Sequence, residues 1–299
     1  TPLIAPNRWT ETEEYSFEEA DPAMTAYPVE LFPEMRDLVR PLEDLRREDA
    51  ARFFRLNEAE YAMLYDEPMG SLYRLENPLR DFGITYQRDA TFVDVLKRLS
   101  STYVPDVAAI HLELLEPVQR MYWPFQKPDL YTTPADSRRR FRFTVKTAYQ
   151  HVDQQIGDLV ATLPENGTVI VIGDRGFGDA PDPTNPDVEG LVPQPTNETV
   201  MILYGHGIER GVDLGTVSLE DLTPTVLRLM GVHLGSDMTG RVLTDAIRDD
   251  FEAAHPRRTV ASHDEDWDPT TRYPIPTNAG DDGGPAGSEN EPESEPETP

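Results

Sequence analysis

Asp174 is the residue best placed to do chemistry. It follows Thr168 to Ile172, an unbroken apolar run closed by Gly173, and precedes Arg175 and the turn Gly176-Phe177-Gly178. A continuous apolar run between such punctuators reads as a fully buried parallel strand. Ligands in open α/β sheets bind at the carboxyl ends of such strands, which is where Asp174 stands as a ligand-binding carboxylate. The plainer reading is a strand-to-loop turn, with Asp174 capping the loop and the glycines supplying positive φ. A second group lies beyond another apolar run, Val107 to Leu112: Glu113, Glu116, Gln119 and Arg120, with Met121-Tyr122-Trp123-Pro124-Phe125 immediately after. The six histidines fall elsewhere. His111 lies in a strand-like run, His151 in a helical stretch, His206 in a glycine turn, and His233, His255 and His263 come late. A lone histidine in such places reads as a satisfied core or surface residue.

Stretches of distinct character must position these groups. Residues 1–26 are polar and acidic and read as an extended arm; 27–104 are mostly helical. Pro41 opens a charged helical stretch through Phe54, and Asn57 with Glu60 forms a capping-box pattern ahead of another helix. Asp89 to Tyr103 is amphipathic, with Phe92, Val95, Leu96 and Leu99 on one face. Val107 to Leu112 reads as a buried strand, and Ser137 to Leu163 as the longest helix, its apolar face laid on a sheet. Asp179 to Asn197, rich in Pro, Asp and Asn, reads as an irregular functional loop. A third strand spans Thr199 to Tyr204. Thr223-Pro224 then starts a short helix from Thr225 to Met230, with Gly231 as its C-cap. The order predicts an α/β domain over 27–261, a mostly parallel sheet with helices on both faces. Residues 262–299 are an acidic tail too poor in apolar side chains to order itself.

Taken together, the motifs resemble a family. Pro105 to Phe125 is similar to the P-D-x-x-x-x-Y … D-x-x-x-H-x-x-W segment of the type I phosphodiesterase/nucleotide pyrophosphatase branch of the alkaline phosphatase superfamily, and Ile170 to Gly178 to its V-S-D-H-G-F-G. Leu203 to Gly211 resembles S-G-P-G-I-x-x-G, and Asp221 to Leu243 resembles D-I-A-P-T-I-L-x-L-x-G … D-M-D-G-R-x-L. The resemblance implies the alkaline phosphatase-like fold, two divalent cations (usually zinc) at the strand ends, and a threonine or serine nucleophile. Its Asp-His pair falls on Asp174 and Arg175, its D-x-x-x-H on Glu116 and Arg120, and a late histidine near Gln194 or Pro195. Only Asp174 is retained, and Glu116 is a longer substitute; the cations are therefore expected to be lost or weakly held. Arg120 and Arg175 replace them as fixed positive charge and as anion contacts. The family's nucleophile segment is not visible. Ile4 to Trp9 resembles the region just downstream of that segment, so the domain is expected to be incomplete at its N-terminus.

Two functional readings are open. The first is a hydrolase of phosphoric esters, active only if upstream residues complete the site and inactive in this form. The second is a degenerate pseudoenzyme, an anion-binding or scaffolding module with a phosphate or sulfate ester as its small-molecule ligand. A nucleotide-binding Rossmann domain would rest on glycines after a strand alone, without G-x-G-x-x-G opening a helix.

Composition narrows the setting. With 55 acidic against 27 basic residues the formal net charge is −28, which repels nucleic acid and anionic membrane. Lys97, Lys127 and Lys146 are the only lysines, and acid excess with lysine depletion is the pattern of a soluble protein from the cytoplasm of a salt-adapted organism. The absence of cysteine excludes disulfides, thiolate zinc sites and thiol nucleophiles. No apolar run approaches the roughly 20 residues of a membrane span. Because salt shortens the range of self-repulsion, thermal unfolding should move to higher temperature between roughly 0.1 and 2 M KCl. A midpoint that falls over that range would contradict the salt-adapted reading.

Overall fold

Local signals and long-range packing divide the work of building this chain, and the helices show the division first. A computed structural model describes residues 3–4, 26–65, 78–181 and 191–263. Most of the expected arm and all of the tail beyond His263 lie outside the described residues. β1 (Leu3–Ile4) pairs antiparallel with β2 (Ala26–Tyr27). α1 (Phe32–Arg36) comes next, then a 3₁₀ turn at Leu42–Asp44 and α2 (Arg47–Ala50). The single helix expected from Pro41 to Phe54 is therefore broken. Nine residues apart, Leu45 and Phe54 would point in opposite directions on a continuous α-helix; the break lets both enter one core. The capping box opens α3 (Glu58–Ala62) as expected: Glu60 N–H donates to Asn57 Oδ1 (3.0 Å) and Asn57 N–H to Glu60 Oε2 (2.8 Å).

α4 (Pro78–Tyr103) contains the predicted amphipathic stretch and runs further upstream. The expected strand at Val107 to Leu112 is not formed; the segment is without regular structure, with Val107, Ala108 and Ala109 exposed. Its end is captured by α4 instead. The Asp89 carboxylate accepts the backbone N–H groups of Glu113 (2.9 Å) and Leu114 (3.0 Å), and Arg88 forms an ion pair with Glu113. These bonds set the start of α5 (Leu115–Gln126) and direct the run away from a ladder. The long helix expected from Ser137 to Leu163 is two helices, α6 (Ala135–Phe141) and α7 (Thr144–Val160). At the break, buried Thr144 donates its hydroxyl to Phe53 O (3.0 Å), and Phe141 turns onto Tyr122 and Phe125. Val145 and Ala148 of α7 pack with Val118 and Tyr122 of α5 rather than on a sheet, and Phe53, Phe54 and Phe82 fill the same core.

The strands differ from expectation in direction. β3 (Thr168–Ile172) forms, but it pairs antiparallel with β6 (Met201–Gly205), Ile170 opposite Leu203. Between them, β4 (Gly176–Pro181) and β5 (Leu191–Thr196) make an antiparallel pair where an irregular loop was expected. Among the described residues, each sheet has two strands, and no mostly parallel sheet with helices on both faces is present. A parallel return requires a crossover of a dozen or more residues, usually a helix, and the β3–β6 connection holds a strand pair instead. β3 is consequently half-buried rather than buried, and Val200, Ile202 and Tyr204 are exposed.

The C-terminal part is held by its own polar groups. A capping box between Ser218 and Asp221 precedes α8 (Leu222–Leu229), so Thr223 lies inside the helix rather than capping it. Gly231, at φ +71°, ends it as expected. Asp221 accepts Arg241 N–H (2.9 Å), and the Thr225 hydroxyl accepts Leu243 N–H (3.0 Å), which closes this family-like stretch on itself. β7 (Leu234–Gly235) pairs in parallel with β8 (Thr259–Val260) across α9 (Asp249–Ala254). Arg228, buried, bonds Glu252 Oε1 (3.1 Å) and so ties α8 to α9.

Two buried titratable groups give opposite pH dependences. Burial pushes Asp89 up from 3.8 to about 7, against the lowering effect of its two N–H donors. Between those values the native state keeps a proton that the unfolded chain has lost, so this group's contribution to stability falls as pH rises from about 4 to about 7. Burial, then the Arg52 charge, pushes His151 down from 6.5 to about 4, and its contribution falls as pH drops through that window. The two slopes oppose each other. Relative to the native chain, Asp89→Asn should therefore gain urea resistance as pH rises from 4 to 7, and His151→Phe should gain it as pH falls from 6.5 to 4. Parallel pH profiles for all three proteins would refute both assignments.

Candidate functional site

The loop carrying Asp174 is shaped by close backbone approach. Gly173 and Gly176 do not have positive φ, contrary to the turn reading. A Cβ on Gly173 would lie 2.0 Å from Thr199 Oγ1, and one on Gly176 would lie 2.0 Å from Glu198 O. Glycine is required at Gly176, where the Glu198 carbonyl passes directly over it, and at Gly173 it makes room for the Thr199 side chain. Asp174 and Arg175 are left outside this contact, and Arg175 Nε donates to Asp174 Oδ2 at 3.0 Å. Both side chains are at least half exposed.

The second predicted pair forms on α5. Glu116 and Arg120 stand one helical turn apart and make an ion pair, the favourable i,i+4 arrangement. Each candidate carboxylate thus pairs with the candidate arginine beside it in the sequence pattern. No hydrogen bond or ion pair among the described residues joins the α5 pair to the Asp174 loop. Gln194, near the third carried-over position, lies opposite Gly178 on β5 and donates its amide to Pro181 O at 3.0 Å. On the β6 side of Asp174 is a cavity of about 660 Å³, lined by Ile172 and Ile202 and by the carboxylates Glu198, Glu209 and Asp213.

A different carboxylate connects α5 to the strand pair. Asp179 of β4 accepts Trp123 Nε1–H and Tyr131 O–H, each at 2.7 Å, and a short bond from Lys127 Nζ. Lys127 also lies 4.3 Å over the Trp123 ring, which packs edge-on against Phe177. Burial raises the pKa of Asp179, but the bonds from Lys127, Tyr131 and Trp123 outweigh it and hold the carboxyl below its usual range. Burial and then the Asp179 bond push Tyr131 up. Sequence reading missed this group, because Asp179 looked like the first residue of an irregular loop. The available signal was a tryptophan and a lysine four residues apart, at the end of a helix that also carries Glu116 and Arg120.

The donor set does not fit two divalent cations. A guanidinium has no lone pair to donate, and both carboxylates are ion-paired with guanidinium groups. Among the described residues no three His, Asp or Glu side chains gather as a metal-holding group. His151 stacks on Tyr86, and His206 and His255 pack on Phe251. No helix among the described residues is long and apolar enough to cross a membrane.

Comparison with known proteins agrees with the motifs. The sequence model of the type I phosphodiesterase / nucleotide pyrophosphatase family matches residues 18–258. The chain is also 28% identical over 153 residues to a 2,3-bisphosphoglycerate-independent phosphoglycerate mutase of Desulforudis audaxviator (strain MP104C). That match covers 50% of this chain and 28% of the mutase, so the chain spans little more than a quarter of that relative's length. No solved structure matches.

Removing the Asp179 acceptor strands donors that are mostly shielded from water. Asp179→Ala should cost about 2–3 kcal/mol in urea unfolding at pH 7, and Asp179→Asn, which keeps one acceptor oxygen, should cost less. The depressed pKa means the contribution is whole above about pH 4 and disappears as pH falls through the folded value. An alanine variant as stable as the native chain would show that Asp179 does not join α5 to the strand pair.

Proposed function

Because the chain belongs to the type I phosphodiesterase/nucleotide pyrophosphatase family of the alkaline phosphatase superfamily, we propose that it is a phosphoester-hydrolase-like protein in which arginine charge stands where the family holds cations. The observation that carries this reading is the pairing of Asp174 with Arg175 and of Glu116 with Arg120. In such enzymes the cations, when bound, clamp the phosphoryl oxygens and lower the pKa of the nucleophile. This chain's residues do not offer them a donor set. An arginine at each of the family's histidine positions puts a permanent positive charge beside each carboxylate. The protein in this form accordingly pairs each of the two carboxylates with a guanidinium and does not turn over a phosphoric ester.

The ligand class is inferred from the relatives. The mutase acts on phosphoglycerate by its name, itself a phosphoric ester, and a guanidinium recognises phosphate or sulfate through paired N–H donors. Arg120 and Arg175 are the groups proposed to contact such an anion. The other reading, hydrolysis of phosphoric esters once further residues complete the site, is favoured by one feature: Asp174 sits at the carboxyl end of β3 beside a cavity of about 660 Å³. The acid excess is assigned to a salt-rich cytoplasm.

Zinc calorimetry and hydrolysis of bis-p-nitrophenyl phosphate separate the two. The native chain should bind no stoichiometric zinc and release no p-nitrophenol, while Arg175→His combined with Arg120→His should gain zinc binding. Tight zinc binding or turnover by the native chain would overturn the charge-replacement reading.

A further inference from the structure

We propose a second, separate anion site, which binds a small phosphate-bearing molecule in the cavity between the 52–55 loop and the start of α7. The cavity measures about 310 Å³, within the size range of small-ligand sites. Arg52, Arg55, Arg140 and Lys146 line it, and no carboxylate does. It shares no lining residue with the cavity beside Asp174.

The charge pattern is the reverse of the rest of the molecule. Acidic residues outnumber basic ones 55 to 27, and most described arginines have a carboxylate partner. Arg140 bonds both Glu60 and Asp136. Arg52, Arg55 and Lys146 are exposed, and none of them makes an ion pair with a described residue. Three uncompensated cations around one concavity create a local positive potential that the net charge of −28 would otherwise erase. The first turn of α7, which adjoins the cavity, also carries no acidic side chain.

The cavity is built rather than left over. Arg55 N–H donates to Arg140 O at 3.2 Å and the Thr144 hydroxyl to Phe53 O at 3.0 Å, so the 52–55 loop is fastened to the junction between α6 and α7. That junction exists because the helix breaks at Arg142-Phe143. The break leaves the exposed Phe143 ring in contact with two guanidinium groups, 5.4 Å from Arg55 Cζ and 4.5 Å from Arg142 Cζ. Cation–π contact restrains Arg55 before a ligand arrives, which lowers the ordering cost of binding. A planar fork on Arg55 with a point charge on Lys146 suits a phosphate group, whose oxygens take both kinds of donor. The volume leaves room for more than one phosphoryl group or for an organic substituent along Phe143.

The proposal does not depend on the hydrolase-like reading, because its residues and its readout are distinct. Pyrophosphate titrated calorimetrically into the full chain carrying Arg120→Ala with Arg175→Ala, so that the first proposed anion contacts are gone, and with EDTA present so that no cation bridges phosphate to carboxylate, should bind with one-to-one stoichiometry. Affinity should fall at least tenfold in Arg55→Ala and in Lys146→Ala, and should be unchanged in Arg210→Ala, which removes an exposed arginine that lines neither cavity. All three side chains are exposed, and circular dichroism checks that the variants are folded. Lys146→Arg should retain binding. Absence of pyrophosphate binding, equal binding by the alanine variants, or equal affinity for tricarballylate would each overturn the assignment.

Discussion

A carboxylate without solvent fixes the course of the chain. Asp89, fully buried on α4, satisfies the N–H groups of Glu113 and Leu114 at the entry to α5. A helix start leaves several N–H donors unmet, and burying them without an acceptor would be costly. Once Asp89 supplies that acceptor, α5 is positioned to carry Val118 and Tyr122 into the aromatic core. The apolar segment before it is drawn to α4 and leaves the sheet. The cost is a carboxyl whose pKa is far above its usual range. The helical part of the molecule is thus organised by one polar contact as much as by its apolar surface.

Arginine plays three different parts against the acid excess. At Asp174 and Glu116 it pairs with carboxylates only one and four residues away along the chain. Arg228, buried beside Phe251, joins two helices through Glu252 and a backbone carbonyl. Around the 52–55 loop, arginine and lysine stand without carboxylates. Location decides the part: an exposed pair contributes little to stability, a buried one is costly to break, and an unpaired cluster can hold an anion.

The candidate site and the fold meet at Asp179. Its three donors come from α5 and the residues after it, so the helix bearing Glu116 and Arg120 is bound to the strand that comes just after Asp174. The two family-like stretches are therefore mechanically connected even though their arginine-carboxylate pairs are separately satisfied. Gly173 and Gly176 complete the arrangement by admitting the Thr199 side chain and the Glu198 carbonyl.

The sequence by itself determined what is local. The Asn57 capping box, the apolar stripe of α4, the strand at Thr168 to Ile172, the Gly231 helix end and the family motifs all depend on residues within a few positions of one another. Partners within reach along the chain leave a readable pattern. Only the tertiary structure decided the direction of strand pairing, the helix breaks at 45–46 and 142–143, and the place of Val107 to Leu112. Each rests on long-range competition: a buried carboxylate against a ladder, an aromatic core against a continuous helix. The acceptor role of Asp179 and the cationic cavity were likewise illegible, because Trp123 and Asp179, or Arg55 and Lys146, are brought together from distant parts of the chain by packing, and a one-dimensional pattern carries no trace of that.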